Sequence, residues 1–261
     1  MAKRPVFVVC AEGVHLVDRV DVSFTWYAGH SSKQKHRSVR SLHEQTLLLK
    51  PNATILEVSR KSEQADGQQC SAFNLTVPSE SPPNRALDFM PDRVQPHIRP
   101  SSPREAPIHS PFHEPDAYIF LECAYQGSKV FVHGGPFSDL YSATPRNARH
   151  DKRLKCSGPL TGFRYGDQSW PLTPLTAFYD WLYITALMHH PEIASRLLHY
   201  DAFTDIEFNP RRSVNCQAHA SALYVSLHRR GLLNKAMASQ EAFLAIVTTF
   251  DTQSPPFLGR S

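Results

Sequence analysis

The chain has 261 residues, of which 41% are hydrophobic, and this proportion suffices for a sizeable core. Its net charge of +4 is mildly basic, which is compatible with a nucleic-acid or polyphosphate ligand but does not demand one. Five scattered cysteines without a CxxC pair, and 14 histidines without an HExxH arrangement, argue against a zinc ribbon, a disulfide framework and metal catalysis, so we expect no metal and no cofactor.

The apolar segments are too short for a membrane helix. The longest of them, such as residues 182–188, fall far below the length that spans a bilayer. The N-terminal segment has basic residues followed by valines, but Glu12 and His15 interrupt it before it reaches the length of a signal peptide. We therefore expect a cytoplasmic protein with free thiols and no membrane contact.

Residues 1–78 open with strand-like patterns and continue into a helix. Residues 32–49 carry apolar side chains at roughly helical spacing and predict a helix, and residues 55–58 predict a short strand. The alternation that predicts the N-terminal strands involves Val6, Val8, Val20, Val22, Phe24 and Trp26.

Residues 79–116 differ from the rest because proline recurs and large aliphatic residues are few. Regular structure is disfavoured where proline is so frequent, so we interpret this segment as an inserted surface loop that is disordered. Residues 117–261 are instead mostly helical in pattern, with predicted helices at 122–131, from 173–174 to 190, from 191, from 216 to 231 and from 239. The predicted fold is therefore mainly α, within the α+β class, with a few short N-terminal strands.

Glu122 is the first residue that core packing does not explain. It lies among apolar neighbours, and a carboxylate in such a position is rarely buried without a partner. In a helix Glu122 and Gln126 share a face, with Lys129 further along the same side. This polar line predicts the wall of a cleft or, equally well, a solvated helix face.

The segment 201–210 places Asp205 and Glu207 on the same side of the chain if it is extended. Two carboxyl groups held together have pKa values that are pushed apart, as acid–base chemistry requires. A capping loop between helices is the alternative interpretation. Asn215 and Gln217 follow at the start of the next helix, where their amides can cap it or hold a ligand.

A basic cluster that includes Lys35, Arg37 and Arg40 lies at the predicted N-terminus of the helix 32–49. Cations are unfavourable there for the helix dipole, which suggests a bound anion such as a phosphate. Clustered cations also lower the pKa of a lysine and thereby favour a nucleophilic amine. The alternative is a solvated basic face.

Two separated motifs resemble the NADAR family. The first is similar to its SNF element and the second to its E-H/Q-A-Y-Q-x-x-K element, with Ala72 in place of Asn and Cys123 in place of His or Gln. Further segments, at 24–31, 34–43, 125–136 and 203–210, are similar to the NADAR antitoxins encoded beside DarT-type toxins. The residues that carry the two motifs are Ser71, Ala72, Phe73 and Asn74, then Glu122, Ala124, Tyr125, Gln126 and Lys129.

The resemblance implies a single NADAR-like helical domain, with residues 1–78 and 117–261 as its two parts and residues 79–116 as an insertion. It also implies a glycohydrolase that removes ADP-ribose from guanine bases of single-stranded DNA and so acts as antitoxin to a DarT-type ADP-ribosyltransferase. The expected partners are therefore ADP-ribosylated single-stranded DNA, ADP-ribose as the product, and a DarT-type toxin.

The resemblance further suggests a catalytic lysine that attacks the ribose C1 atom and forms a Schiff base. Lys35 is the first candidate because it lies in the subgroup's Gln-Lys-x-x-Ser element, and Lys129 is the second because it belongs to the general motif. Glu122 is the candidate to stabilise the positive charge on the ribose or to activate the attacking group. Asp205 or Glu207 is the candidate to supply a proton or to orient the ribose hydroxyls.

The remaining candidate residues are assigned to ligand binding. Trp170 and Phe73 are candidates to stack on a base, with core packing as the alternative. Arg37, Arg40, Asn74 and Asn215 suit the diphosphate. The other residues assigned to binding are Ser71, Tyr125, Gln126 and Gln217.

Competing functions remain open from sequence alone. One is an N-glycosidase that acts on small phosphorylated metabolites. Another is a non-catalytic antitoxin that binds its toxin directly, with the Pro-rich segment as a docking arm that folds on contact. A generic DNA-binding module is the third, although no recognition-helix or zinc-finger pattern supports it.

Overall fold

The computed structural model describes residues 1–29, 31–79, 118–210 and 213–251. The strands are β1 (Ala2–Val9), β2 (Val17–Phe24), β3 (Ile55–Glu57), β4 (Thr76–Pro78), β5 (Tyr118–Phe120), β6 (Lys129–Phe131), β7 (Leu160–Tyr165), β8 (Gln168–Trp170) and β9 (Ala202–Thr204). The α-helices are α1 (Ser32–Leu49), α2 (Ala65–Gln69), α3 (Leu121–Gly127), α4 (Pro145–Arg149), α5 (Arg153–Cys156), α6 (Ala177–Met188), α7 (Pro191–Leu197), α8 (Gln217–Arg229), α9 (Leu233–Met237) and α10 (Gln240–Asp251), and a short 3-10 helix spans Ser138–Ser142.

The N-terminal sheet has the strand order β2-β1-β9-β3 and packs against α1. β1 is antiparallel to both β2 and β9, whereas β3 runs parallel to β9. Ser31 caps α1, since its hydroxyl accepts a hydrogen bond from the Gln34 amide at 3.3 Å. The buried face of α1, with Val39 and Leu42, meets Val22 of the sheet in one apolar cluster. The predicted strands and the predicted helix 32–49 are confirmed.

Helices α6 and α8 form the centre of the larger core. Every residue of α6 from 177 to 187 is buried, because α3, α7, α8, α10 and β4 all pack against it. Full burial of one Leu or Ile side chain, such as Leu182 or Ile184, contributes about 1.5–3 kcal/mol. The predicted helix starts at Pro191 and after Ser239 are confirmed, and Gly231 follows the end of α8 with a φ of +66°.

Two small antiparallel sheets complete the fold, one of β4 and β5 and one in the order β6-β7-β8. The prediction of a mainly α fold with only N-terminal strands is therefore too narrow, because strands also occur throughout the second half of the described chain. The fold is mixed α+β with several small sheets. These strands are only three to six residues long, so each carries little alternation from which it could be recognised.

The prediction for residues 79–116 lies, from residue 80 onward, outside the described residues. β4 and β5, which flank that segment, pair with each other, with Pro78 opposite Tyr118. Within the ranges that the structure describes, none of the helices combines the length and apolar character needed to cross a bilayer.

Candidate active site

The polar line predicted on α3 is present and is joined by hydrogen bonds. The Gln126 amide donates to Glu122 Oε1 at 3.0 Å, and Lys129 Nζ donates to Gln126 Oε1 at 2.7 Å. Glu122 is only 6% exposed, so the alternative of a solvated helix face is excluded for this carboxylate. Arg149, at the end of α4, approaches Glu122 Oε1 from the outside at 4.0 Å.

The predicted helix 122–131 is wrong beyond Gly127, where α3 ends, so that Lys129 opens strand β6. Two glycines shape this exit. A Cβ atom on Gly127 would lie 2.5 Å from a ring carbon of Tyr141. Gly135 has a φ of +87°, and a Cβ there would lie 2.1 Å from the Lys129 carbonyl oxygen. The Gly134-Gly135-Pro136 motif therefore packs against the backbone of Lys129.

Lys129 has the environment of a reactive amine. The pKa of its ammonium group is lowered to about 8, mainly by burial; Glu122 acts to raise this pKa and Arg149 to lower it. Its Nζ lies 4.6 Å from the centre of the Tyr125 ring. A substantial fraction of this amine is therefore neutral at physiological pH.

The first NADAR-like motif reaches the second through backbone contacts. The Glu122 amide donates to the carbonyl of Ala72 at 3.0 Å, and the Ala72 amide donates to Gln217 Oε1 at 3.0 Å. Gln217, the first residue of α8, also hydrogen-bonds Asp205 through its side chain. The structure thus brings together Glu122, Gln217 and Asp205, which are distant in sequence.

Asp205 and Glu207 do not share a side, because the chain turns after β9 instead of remaining extended. Asp205 Oδ1 accepts from the amides of Glu207 and Phe208, at 3.0 and 3.1 Å, and so stabilises this turn. Asp205 is buried, whereas Glu207 is exposed. The extended conformation that would place the two carboxyl groups on one side is therefore wrong, and a turn stabilised by an aspartate that binds its own following amides takes its place.

The surroundings of Asp205 favour the protonated form of its carboxyl group. Burial raises the pKa of its carboxyl group to about 8, and the neighbouring carboxylates Glu57 and Glu207 act in the same direction. The Glu207 amide and the Gln217 side chain oppose this shift. Glu57, fully buried on β3, was missed from sequence. Its signal was a carboxylate in the apolar strand 55–58, the same signal that identified Glu122.

Lys35 and Arg37, the basic residues predicted at the N-terminus of α1, lie on aromatic rings. Lys35 Nζ is 4.5 Å from the Trp26 ring centre, and the Arg37 guanidinium is 3.9 Å from that of Tyr27. Arg4 also faces the Trp26 ring, at 5.4 Å, and interacts electrostatically with Asp205. Lys35 and Arg4 therefore share the Trp26 ring, whereas Lys129 lies beside Gln126 and Glu122.

The residues predicted to bind a ligand divide into two groups. Phe73 is partly exposed, with the guanidinium groups of Arg60 and Arg149 at 4.3 and 5.7 Å from its ring centre. The Asn215 amide donates to the hydroxyl of Tyr125, and among the described residues Asn215 Oδ1 has no hydrogen-bond partner. These residues line the same site as Glu122. No local sequence pattern indicates that Arg60 or Arg149 contacts the Phe73 ring, because neither arginine is close to Phe73 along the chain.

The other predicted binding residues have structural partners. Ser71 is buried and accepts the Phe73 amide at 3.4 Å, and the Asn74 side chain donates to the Gln68 carbonyl at 2.7 Å. Arg40 makes two hydrogen bonds to Glu63, at 2.8 and 2.6 Å.

Trp170 is 3% exposed and lies in the core, with its ring centre 4.9 Å from that of Trp181. The prediction that Trp170 stacks on a base is wrong, and core packing accounts for it.

In the described ranges, no group of three or more His, Cys, Asp or Glu residues is arranged to hold a metal ion. The site instead consists of a lysine of lowered pKa, two buried carboxyl groups and a partly exposed ring between guanidinium groups.

An amine and buried carboxyl groups held close together on a mixed α+β scaffold are groups that can take part in nucleophilic and acid–base chemistry. A family model, described as DarT1-associated NADAR antitoxin, matches residues 2–87 and 109–256. The chain belongs to this family, which confirms the resemblance seen in the two motifs. No curated protein matches it.

Proposed function

We propose that this protein is a glycohydrolase that removes ADP-ribose from guanine bases of single-stranded DNA and thereby reverses the action of a DarT-type toxin. The observation that carries the proposal is the hydrogen-bonded line from Lys129 to Glu122, connected through Ala72 and Gln217 to the protonated Asp205. Family membership supports the antitoxin context.

Lys129 is the nucleophile that the geometry favours. Its neutral amine would attack the ribose C1 atom, and the bond from C1 to the guanine nitrogen would break as the new bond to Nζ forms. Loss of the amine proton and opening of the ribose ring would give the Schiff base. Water would then hydrolyse that imine, releasing ADP-ribose and regenerating the amine.

Lys35 is the second candidate, favoured by the family resemblance rather than by its surroundings. Its position on the Trp26 ring also suits contact with a base or phosphate next to the modified nucleotide. Both lysines belong to one site if the ligand extends from Glu122 to Trp26 past Asp205.

The two buried carboxyl groups suit different steps. Asp205 would donate its proton to the guanine as it leaves, because burial and Glu57 keep it protonated up to about pH 8. Glu122 would stabilise the positive charge that develops on the ribose, since it is held at the site by Gln126 and Arg149. Glu207, exposed on the same turn, would assist only through its charge.

The diphosphate and adenine would lie toward Phe73. Arg60 and Arg149 flank the Phe73 ring. A flat base can stack on this ring, and the two guanidinium groups can bind the phosphates. Asn215 Oδ1, without a partner among the described residues, is available to a ribose hydroxyl or a base N–H group.

The domain organisation is also a proposal. We infer that residues 1–78 and 117–261 form one domain with residues 79–116 inserted between them. The pairing of β4 with β5 across this segment supports the inference. The family match omits residues 88–108, which lie within the proposed insertion.

The test uses a single-stranded oligonucleotide with one ADP-ribosylated guanine. The purified full chain should release ADP-ribose and restore the guanine. With borohydride present, it should accumulate a reduced adduct that peptide mass spectrometry assigns to Lys129. An adduct on Lys35 would transfer the nucleophile role to that residue, whereas no release of ADP-ribose would reject the proposed function.

The same assay separates the competing functions. Release from free ADP-ribosylated nucleotides or phosphorylated metabolites, but not from the oligonucleotide, would indicate a metabolite glycosidase. Protection of cells from the toxin by an inactive Lys129→Ala variant would indicate direct neutralisation.

A further inference from the structure

Glu57 is a buried carboxylate that enters the proposed reaction only through its charge acting on Asp205, although its hydrogen bonds also contact the residues around Asp205. It closes β3, is 2% exposed, and has three hydrogen-bond donors around it. Oε1 accepts from Ser59 Oγ at 2.6 Å and from the Ile206 amide at 2.9 Å. Oε2 accepts from Thr204 Oγ1 at 2.7 Å. Glu57 therefore binds the residues directly before and after Asp205.

Parallel pairing of β3 with β9 places Glu57 opposite Thr204. His43 extends this connection, since its Nε2 lies 2.9 Å from Thr204 Oγ1. Because the Thr204 hydroxyl donates to Glu57, its oxygen accepts from His43, which must carry its proton on Nε2. Burial lowers the pKa of His43 to about 4, so the ring is neutral in this line.

A purely structural acceptor at this position would not need a charge. A second carboxylate close to Asp205 is electrostatically unfavourable, and burial adds a further cost that only its hydrogen bonds offset. Gln could accept the bonds from Ser59 and Ile206 with its oxygen and donate its NH₂ group to Thr204, without that repulsion. The charge itself therefore requires an explanation, and the proton on Asp205 supplies one.

Asp205 faces ionisable groups on several elements. Glu57 comes from β3, Glu207 from its own turn and Arg4 from β1. Three further ionisable groups lie near Asp205, namely Cys216 before α8 and Tyr179 and Tyr183 on α6. Burial raises the pKa of each of them and keeps them neutral at physiological pH. The acidic and basic groups that act on Asp205 are thus one cation and two carboxyl groups, of which Glu57 is the buried one. Burial raises the pKa of Glu57, and its hydrogen bonds from Ser59, Ile206 and Thr204 act against this shift and favour the ionised form.

We propose that Glu57 is the positioning residue for Asp205: it holds the Thr204 hydroxyl and the Ile206 amide on either side of Asp205 and places a negative charge beside it, so that Asp205 keeps its proton until the base leaves. The proton passes from Asp205 to the departing guanine, and water returns it during imine hydrolysis. This inference rests on the proposed function, which makes Asp205 the acid.

The test is the pH profile of ADP-ribose release for Glu57→Gln under single-turnover conditions. Gln retains an acceptor for Ser59 and Ile206, and its NH₂ group can donate to Thr204, whose hydroxyl then turns to His43. The limb on which activity falls with rising pH should move to lower pH by about one unit, because Asp205 loses the carboxylate that favours its protonated form. Glu241→Gln, on α10, is the matched control and should leave the limb in place.

A second variant and a second measurement cover the case in which Glu57→Gln does not fold. Thr204→Val removes one donor to Glu57, favours the neutral form of Glu57, and should move the limb in the same direction by less. Carbon-13 NMR of the Asp205 carboxyl group, without substrate, should show it titrating at lower pH in either variant.

The outcomes are distinct. A uniform loss of activity with an unmoved limb, or an Asp205 titration that neither variant changes, would show that Glu57 is only structural. If the wild-type protein releases no ADP-ribose but Glu57→Gln still shifts the titration of Asp205, the proposed function is rejected. The electrostatic interaction between Glu57 and Asp205 would then still be supported.

Discussion

The carboxyl groups at the two ends of the site have opposite electrostatic surroundings. Glu122 and Asp205 are both carboxyl groups enclosed by apolar neighbours. Glu122 has Gln126 as a hydrogen-bond donor and Arg149 as a cation nearby, whereas Asp205 has Glu57 and Glu207 as negative neighbours. The first arrangement suits an ionised carboxylate and the second suits a carboxylic acid.

The difference teaches that a buried carboxylate in a sequence indicates a site but not its chemistry. The chemistry depends on partners from other elements, namely α4 for Glu122 and β3 for Asp205. The comparison therefore predicts that variants at the two ends will fail in different ways, and the following expectations separate them in order of size.

The largest effect is expected at the Glu122 end, from Lys129→Ala. Removal of the nucleophile should lower the single-turnover rate of ADP-ribose release on the order of 10⁴-fold or more. The measurement is the release rate from the modified oligonucleotide, with the exposed Lys50→Ala as control. A release rate of Lys129→Ala within tenfold of wild type would contradict the assignment of Lys129 as the nucleophile. If Lys35→Ala instead lowers the rate on the order of 10⁴-fold, Lys35 is the nucleophile.

Asp205→Asn tests the acid end. Loss of a general acid should lower the rate on the order of 10²–10⁴-fold. The wild-type activity should rise as Lys129 loses its proton and fall as Asp205 loses its own, and since the pKa values of both groups are about 8, the profile should be a narrow bell centred near pH 8.

The falling limb of that bell should disappear in Asp205→Asn, because no acid remains to be deprotonated. Asp201→Asn, four residues earlier and bound to Thr54, is the matched control and should keep both limbs. A variant at Asp205 that retains the falling limb would assign this limb to another group.

Phe73→Ala should have an intermediate effect, on binding rather than on chemistry. Loss of a stacked base costs about 1–3 kcal/mol, which corresponds to an increase in KM of roughly 5- to 150-fold with little change in kcat. Tyr118→Ala, an exposed ring on β5, is the control and should leave KM unchanged. A fall in kcat without a change in KM would place Phe73 outside the ligand site.

The smallest expected effect is a stability difference that depends on pH. Folded Asp205 keeps its proton to about pH 8, whereas the unfolded chain releases it near pH 4, so this group's contribution falls as pH rises between those values. Asp205→Asn lacks this loss, so its melting temperature relative to that of wild type should increase from pH 4 to pH 8.

Asp201 provides a control of opposite sign for the melting temperatures. Burial acts to raise the pKa of Asp201. Hydrogen bonds from Thr54 and Arg229 nevertheless hold this pKa below its ordinary value. The contribution of Asp201 to the stability of the fold is therefore present above the pKa that this group has in the unfolded chain, and it is lost as pH falls. Asp201→Asn should therefore be less stable than wild type at neutral pH and equal to it in acid, and parallel curves for both variants would contradict the two assignments.

Local patterns predicted the parts of this molecule that depend on nearby residues. The helix 32–49 and the polar line of Glu122 and Gln126 follow from spacing along one helix. The helix end at Gly127 depends on Tyr141, a long-range neighbour, and the turn at Asp205 depends on a side chain that binds its own backbone. Trp170 was misassigned because a ring next to polar residues resembles a surface ring until its partners in the core are known.

The pairing of Pro78 with Tyr118 has a consequence for how the protein tolerates change in length. Two residues paired across an antiparallel ladder have their Cα atoms roughly 5 Å apart, whatever chain joins them. A change in the number of residues between them therefore transmits no displacement through this pair to Glu122, four residues beyond Tyr118. The position of Glu122 is in this sense independent of the length of the segment between Pro78 and Tyr118, which leaves that length free to vary in evolution or to be shortened in the laboratory.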